Sequence, residues 1–112
     1  MASHVLVTGG AGYIGAHACK VLKAAGFIPV TFDNISTGWE EAVKFGPLFK
    51  GDLVNRADID AALAQYNPVA VMHFAALSLV GESMKDPGLY WRVNVNGALN
   101  LLEATVAAGI KN

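Results

Sequence analysis

The chain is 112 residues long, 54% hydrophobic and 15% charged, enough apolar material to give one compact domain, or part of a larger one, a core, and too much for a disordered chain. A formal net charge of −1, with eight Lys and Arg scattered rather than blocked, supplies no long-range field and implies neither nucleic acid nor an anionic membrane as partner. One cysteine, Cys19, excludes an internal disulfide framework; with no charged leader at the N-terminus and no run of about eighteen apolar residues, a soluble, cytoplasmic protein is expected.

The apolar periodicity switches repeatedly between strand and helix. Residues 4–8, "HVLVT", predict a short β-branched strand, and 13–25, "YIGAHACKVLKAA", a helix closed by Gly26 in which Cys19 is buried filler. Residues 27–33, "FIPVTFD", predict a second strand ending on an acid; Pro29 removes one ladder donor, so the side carrying its nitrogen must be free or bulged. A loop with a helical turn leads to a third strand at 48–51, "LFKG". Residues 55–67 predict an amphipathic helix capped by Asn55, with Ile59, Leu63 and Tyr66 on one face. Residues 69–75, "VAVMHFA", are nearly all apolar, as a strand covered on both faces should be. Finally, 86–109 predict a long helix with Asp86 and Pro87 at its start and Gly109 as its stop.

Strands alternating with helices imply an α/β fold with a parallel sheet covered on both sides. Right-handed crossovers make 3-2-1-4 the most economical strand order, the first half of a doubly wound, Rossmann-type sheet that stops before a fifth strand. Residues 1–112 are therefore expected to be a partial nucleotide-binding domain.

The stretch "VLVTGGAGYIGAH" carries four glycines between the first strand and the first helix, readable as Gly10-x-Gly12-x-x-Gly15 or Gly9-x-x-Gly12-x-x-Gly15. An early glycine turns the chain, Gly12 lets a pyrophosphate lie against the backbone, and Gly15 lets the helix sit close to the sheet. Uncapped N–H groups and the positive end of the helix dipole then face the phosphates. Asp33 closes the next strand roughly twenty residues on, where a carboxylate accepts both hydroxyls of an adenosine ribose. A 2′-phosphate would meet like charge there, and no Arg occurs in the next twenty residues, so NAD is favoured over NADP. Asp52 either accepts from the adenine amino group or serves as a turn residue.

The segments "VLVTGGAGYIGAH", "FDNISTG", "GDLVN", "VMHFAALSLVGES" and "VNVNGALNLLEA" together resemble the N-terminal part of the extended short-chain dehydrogenases, and most closely the UDP-glucose 4-epimerases among them. The resemblance covers nearly the whole chain. It implies that Gly9, Gly12, Tyr13, Ile14 and Gly15 contact the NAD pyrophosphate. It implies further that Asp33, Asn34, Ser36, Thr37 and Gly38 surround the adenosine ribose, and that Asp52 and Leu53 bracket the adenine. Phe74, Ala75 and Ala76 would line the cofactor, with Asn94 reaching it from the long helix. Ser78 stands where the best-known pattern has Lys, which removes a cationic contact at that cofactor-side position.

In that family the chemistry is done by a Ser or Thr after a fifth strand and by a Tyr-x-x-x-Lys pair. Tyr13, Tyr66 and Tyr90 are followed four positions later by His17, Ala70 and Asn94, so no catalytic residue is assigned here and the chain by itself is expected to be inactive. Other superfamily members, sugar-nucleotide dehydratases or reductases, are the enzyme alternative; an isolated, self-associating half-domain is the structural one. His4, His17 and His73 lack ligand spacing with cysteine or carboxylates, no metal is expected, and His73 reads as packed and hydrogen bonded. Ser78, Ser83, Glu82 and Asp86 lie close in sequence without a histidine placed for a nucleophile triad. Trp39 and Trp91 read as packing or interface residues, and Phe45, Phe49 and Met84 as apolar filler. An uncovered fourth-strand edge or uncovered helix faces invite self-association as a two-fold homodimer.

Overall fold

The computed structural model describes residues 2–35, 40–75 and 85–112. Among them four strands form a parallel sheet of order β3-β2-β1-β4, with β1 at His4–Thr8, β2 at Ile28–Asp33, β3 at Leu48–Lys50 and β4 at Ala70–His73. The helices are α1 (Tyr13–Ala24), α2 (Arg56–Tyr66), α3 (Pro87–Trp91) and α4 (Gly97–Ala107), with a 3-10 turn at Glu40–Ala42. The expected strand order is the observed one.

Strand periodicity sorts the core into two layers. Val5 and Val7 of β1 point to one face and pack with Cys19 of α1, with Leu22 and Phe45 half-buried against them. Leu6 points to the other face and joins Val30, Phe32, Leu53, Ile59, Leu63 and Leu101 beneath α2 and α4. The ring of Phe49 stacks on that of Phe32, centroids 5.7 Å apart. Helix α2 is capped as its sequence predicts: the Asn55 side chain accepts from the Ala57 amide at 3.2 Å, and Asn67 ends it in a left-handed conformation, φ 43°.

Pro29 needs no bulge, because β1 and β2 pair residue for residue from His4 with Ile28 to Thr8 with Phe32. Its nitrogen faces the β3 side, where pairing begins only at Thr31 with Leu48, so no ladder bond is forfeited.

Two expectations are corrected. Strand β4 packs on both faces but less deeply than its apolar run implies: Val71 lies against the layer beneath α2 and α4 and Ala70 and Met72 against the layer beneath α1, yet all three are only half-buried and His73 is exposed, because among the described residues only β1 flanks it as a strand. Its outer edge is nevertheless not wholly bare, since the Val71 amide donates to the Asn112 carbonyl at 2.9 Å. The long helix is interrupted: between α3 and α4, Arg92–Asn96 form a π-helical segment. One widened turn is invisible to a periodicity averaged over several turns. Its far end is pinned where Gly97 lies against Leu53 and the Asn100 side chain donates to the Leu53 carbonyl at 2.9 Å.

The side of α3 and α4 turned away from this anchor is apolar and exposed. Trp91, Val95, Leu99, Leu102 and Val106 are 63%, 42%, 52%, 65% and 76% accessible and recur at steps of four, four, three and four.

Replacing the buried Ile59 by alanine is expected to cost about 2 to 5 kcal/mol in urea denaturation, whereas Val21→Ala on the outer face of α1 should stay within about 0.5 kcal/mol. Equal losses at the two positions would contradict the described packing.

Candidate functional site

Parallel strands end on one side of a sheet, so the loops after β1, β2, β3 and β4 share one edge. The loop after β1 is shaped by backbone contact. Gly9 has φ +72°, and a Cβ there would stand 2.7 Å from the Ala75 nitrogen, in the turn after β4. A Cβ on Gly10 would meet the Thr31 hydroxyl at 2.5 Å, and one on Gly15 the Gly9 carbonyl oxygen at 2.1 Å. Gly15 thus lets α1 close on its own preceding loop at the end of β1.

Gly12 is the exception. Its φ of −81° and ψ of 175° suit any residue, and a Cβ there would meet only the Gly9 oxygen, at 3.4 Å. Nothing among the described residues requires a glycine at this position. Gly12 is also the N-cap of α1, and no side chain caps it. The amides of Tyr13, Ile14 and Gly15 lie in the first turn, ahead of the first helical bond, from the Ala16 amide to the Gly12 carbonyl, and the Tyr13 and Ile14 side chains are turned to solvent. An open backbone surface, amide donors and the positive end of a helix dipole therefore coincide, which is what an anion needs.

Asp33 points into this loop. Its Oδ2 accepts from the Ala11 amide at 3.1 Å and its Oδ1 from the Ile35 amide at 2.8 Å. The half-buried carboxylate clamps the β1–α1 loop to the end of β2, and bonds of this kind are stronger than neutral ones. Ile35 beside it takes φ +60°, a strained value for a β-branched residue, and Asn34 between them is exposed.

The other positions fall into groups. Asp52 shows its turn role directly: its Oδ1 accepts from the Val54 amide at 3.1 Å, and its own amide donates to Asp58 at 3.0 Å. The Leu53 side chain is buried in the core, so it props the loop instead of offering its side chain to a ligand. Phe74 and Ala75 border the Gly9 turn, Phe74 being 37% accessible, and Asn94 is half-buried within the π-helical segment. Ser36, Thr37, Gly38, Ala76 and Ser78 lie outside the described residues, as do Trp39, Glu82, Ser83 and Met84.

The histidines are separate. His17 meets the Tyr13 ring edge-on at 4.7 Å and His4 lies 5.7 Å from Tyr66. His73 is hydrogen bonded, as expected, its Nδ1 lying 2.6 Å from the Thr8 hydroxyl, but the residue as a whole is exposed rather than packed. The same hydroxyl accepts from the amides of Phe74 at 3.1 Å and Ala75 at 3.4 Å. Sequence reasoning missed Thr8, whose only signal is that it and His73 are the last residues of two strands whose pairing was not yet known. Burial pushes the Cys19 thiol up, which fits inert filler.

Partial burial of the ring holds the His73 pKa below the ordinary histidine value. The unfolded chain then takes up this proton first as pH falls, so the stability His73 contributes is complete above about pH 6.5 and declines below it until the folded form is protonated too. Urea midpoints from pH 8 to 5 should therefore fall further toward acid in the wild type than in His73→Asn; the opposite ordering would contradict the burial.

A family profile described as "NAD dependent epimerase/dehydratase family" matches residues 5–112. Among curated proteins, the UDP-glucose 4-epimerase of Rhizobium meliloti (strain 1021) is 53% identical over 108 residues, covering 96% of this chain and 33% of that protein. Among solved structures, UDP-glucose 4-epimerase from Brucella ovis in complex with NAD superposes with a TM-score of 0.94 at 46% identity, covering 99% of this chain and 34% of that one. The Thermus thermophilus UDP-glucose 4-epimerase complex with NAD gives 0.92 at 42% identity, over 96% of this chain and 35% of that one. The chain thus spans about a third of the length of these relatives. No helix among the described residues is long and apolar enough to cross a membrane. With the glycine loop, the Asp33 clamp and the 3-2-1-4 sheet all lying within the matched region, the chain belongs to the NAD dependent epimerase/dehydratase family.

Proposed function

We propose that this chain holds NAD, gripping chiefly its ADP-ribose half, as the nucleotide-binding portion of an enzyme that interconverts UDP-glucose and UDP-galactose. The observation that carries this reading is Gly12: a glycine that nothing among the described residues requires, at the start of α1 where none of their side chains caps it, beside a carboxylate aimed into the same loop. The first-turn amides from Tyr13 to Gly15 receive the pyrophosphate, and the backbone at Gly12 allows it to approach. Asp33 accepts the ribose hydroxyls, with Asn34, Ser36, Thr37 and Gly38 around it. Its negative charge opposes a 2′-phosphate, which favours NAD over NADP. Asp52 and Leu53 flank the adenine, while Phe74, Ala75, Ala76, Ser78 and Asn94 line the path toward the nicotinamide.

NAD supplies the hydride acceptor and donor for transient oxidation at the sugar C4. These residues bind and orient it. Epimerisation is not expected of them by themselves, since no tyrosine here is followed four positions on by lysine. A cytoplasmic setting goes with this reading and with the buried free thiol of Cys19.

Titration calorimetry with ADP-ribose and NAD at millimolar ligand should show binding, with ADP-ribose accounting for most of the affinity. Gly12→Ala should weaken it at least tenfold while changing stability by no more than about 1 kcal/mol in either direction, because alanine tolerates that backbone but is a poorer N-cap than glycine. Wild-type affinity in this variant would remove the pyrophosphate assignment.

The exposed stripe from Trp91 to Val106 supports a second element of the proposal, pairing of two copies about a two-fold axis through α3 and α4. It is favoured over the β4 edge, where the Val71 amide already has a partner. Sedimentation of the wild type should report a dimer at high micromolar concentration and a monomer for the double variant Leu99→Glu with Leu102→Glu; a monomeric wild type would contradict this.

A further inference from the structure

We propose that His73 is a positioning residue for the nucleotide cradle: held as the neutral Nε2–H tautomer, its Nδ1 takes the Thr8 proton and so directs the Thr8 oxygen onto the amides of Phe74 and Ala75. The proposal rests on the reading of the Gly9–Gly15 loop as that cradle. It follows from counting donors and acceptors at one buried atom. A threonine hydroxyl has one proton and two lone pairs. Thr8 is fully buried, and two backbone amides point at its Oγ1: that of Phe74 at 3.1 Å, shared with the Thr8 carbonyl at 2.9 Å, and that of Ala75 at 3.4 Å. The remaining neighbour, His73 Nδ1 at 2.6 Å, must then receive the proton, which requires a lone pair on Nδ1 and places the ring proton on Nε2.

The consequence reaches the ligand side because the turn after β4 is in backbone contact with Gly9. A Cβ on Gly9 would lie 2.7 Å from the Ala75 nitrogen and 2.9 Å from the Phe74 carbonyl carbon. The atoms that Thr8 holds are therefore the atoms against which the glycine loop rests. A ring with its proton on Nδ1 would aim a second donor at an oxygen with no lone pair to spare, and one of the two amides would have to let go.

Long-range 1H–15N spectra of the chain at pH 8 read the tautomer directly, and the Nε2–H form is expected. Hydrogen exchange at the Ala75 amide should quicken roughly three- to tenfold in His73→Phe, the size of one lost hydrogen bond, while the Phe74 amide, held also by the Thr8 carbonyl, stays protected. His73→Asn, whose Oδ1 can stand where Nδ1 stood, should restore most of the protection, which a general packing role would not. An Nδ1–H ring overturns the proposal, as does unchanged exchange in His73→Phe; if that variant does not fold, the wild-type tautomer decides. ADP-ribose calorimetry on the same samples separates the two readings. No heat overturns the nucleotide role yet leaves the Thr8–His73 joint standing, whereas binding by a chain with an Nδ1–H ring overturns only the part given to His73.

Discussion

Three backbone segments meet at Gly9, and the rest of the site depends on their having no side chains between them. The turn after β4 presses on Gly9 from one side, and the first turn of α1, through Gly15, closes on its carbonyl oxygen from the other. A single Cβ at either residue would force two pieces of main chain apart, and main chain held in a sheet and a helix has little room to yield. Because this contact is made, α1 begins directly above the end of β1, and its unpaired amides emerge at the edge where all four parallel strands finish.

Charge complements that shape. The carboxylate of Asp33 lies at the positive end of α1 and accepts from Ala11, so it stabilises the loop and places a negative charge beside it. Its grip on Ile35 also helps hold a residue at positive φ, a conformation that would otherwise relax. On the opposite flank Thr8 makes the equivalent tie, from β1 to the turn after β4. The loop is thus fastened to β2 by a carboxylate and to β4 by a hydroxyl.

The apolar layers explain why these ties can act at fixed distance. Leu6, Val30 and Phe32 are sealed beneath α2 and α4, while Val5 and Val7 are sealed beneath α1, so the strand ends carrying Thr8 and Asp33 have little freedom. Helix α4 is anchored at its first turn, where Asn100 holds the Leu53 carbonyl and Gly97 lies against the Leu53 side chain. That anchor connects the β3–α2 loop to the π-helical segment bearing Asn94, and it leaves the apolar stripe of α4 on the outside.

Local chemistry was readable from residue order. The strand–helix alternation, the Asn55 cap, the glycine loop and the acid ending β2 each depend on neighbours a few positions apart, and right-handed crossovers then leave little choice of strand order. Contacts between residues distant in sequence were not readable. Only folding brings Thr8 beside His73 and Gly9 beside Ala75, leaves β4 half exposed, and shows that Gly12, unlike its three companions, is spared any collision among the described residues. A motif states which positions lack side chains, whereas the reason for each lack is a distance between segments, and distances of that kind come into being when the sheet closes.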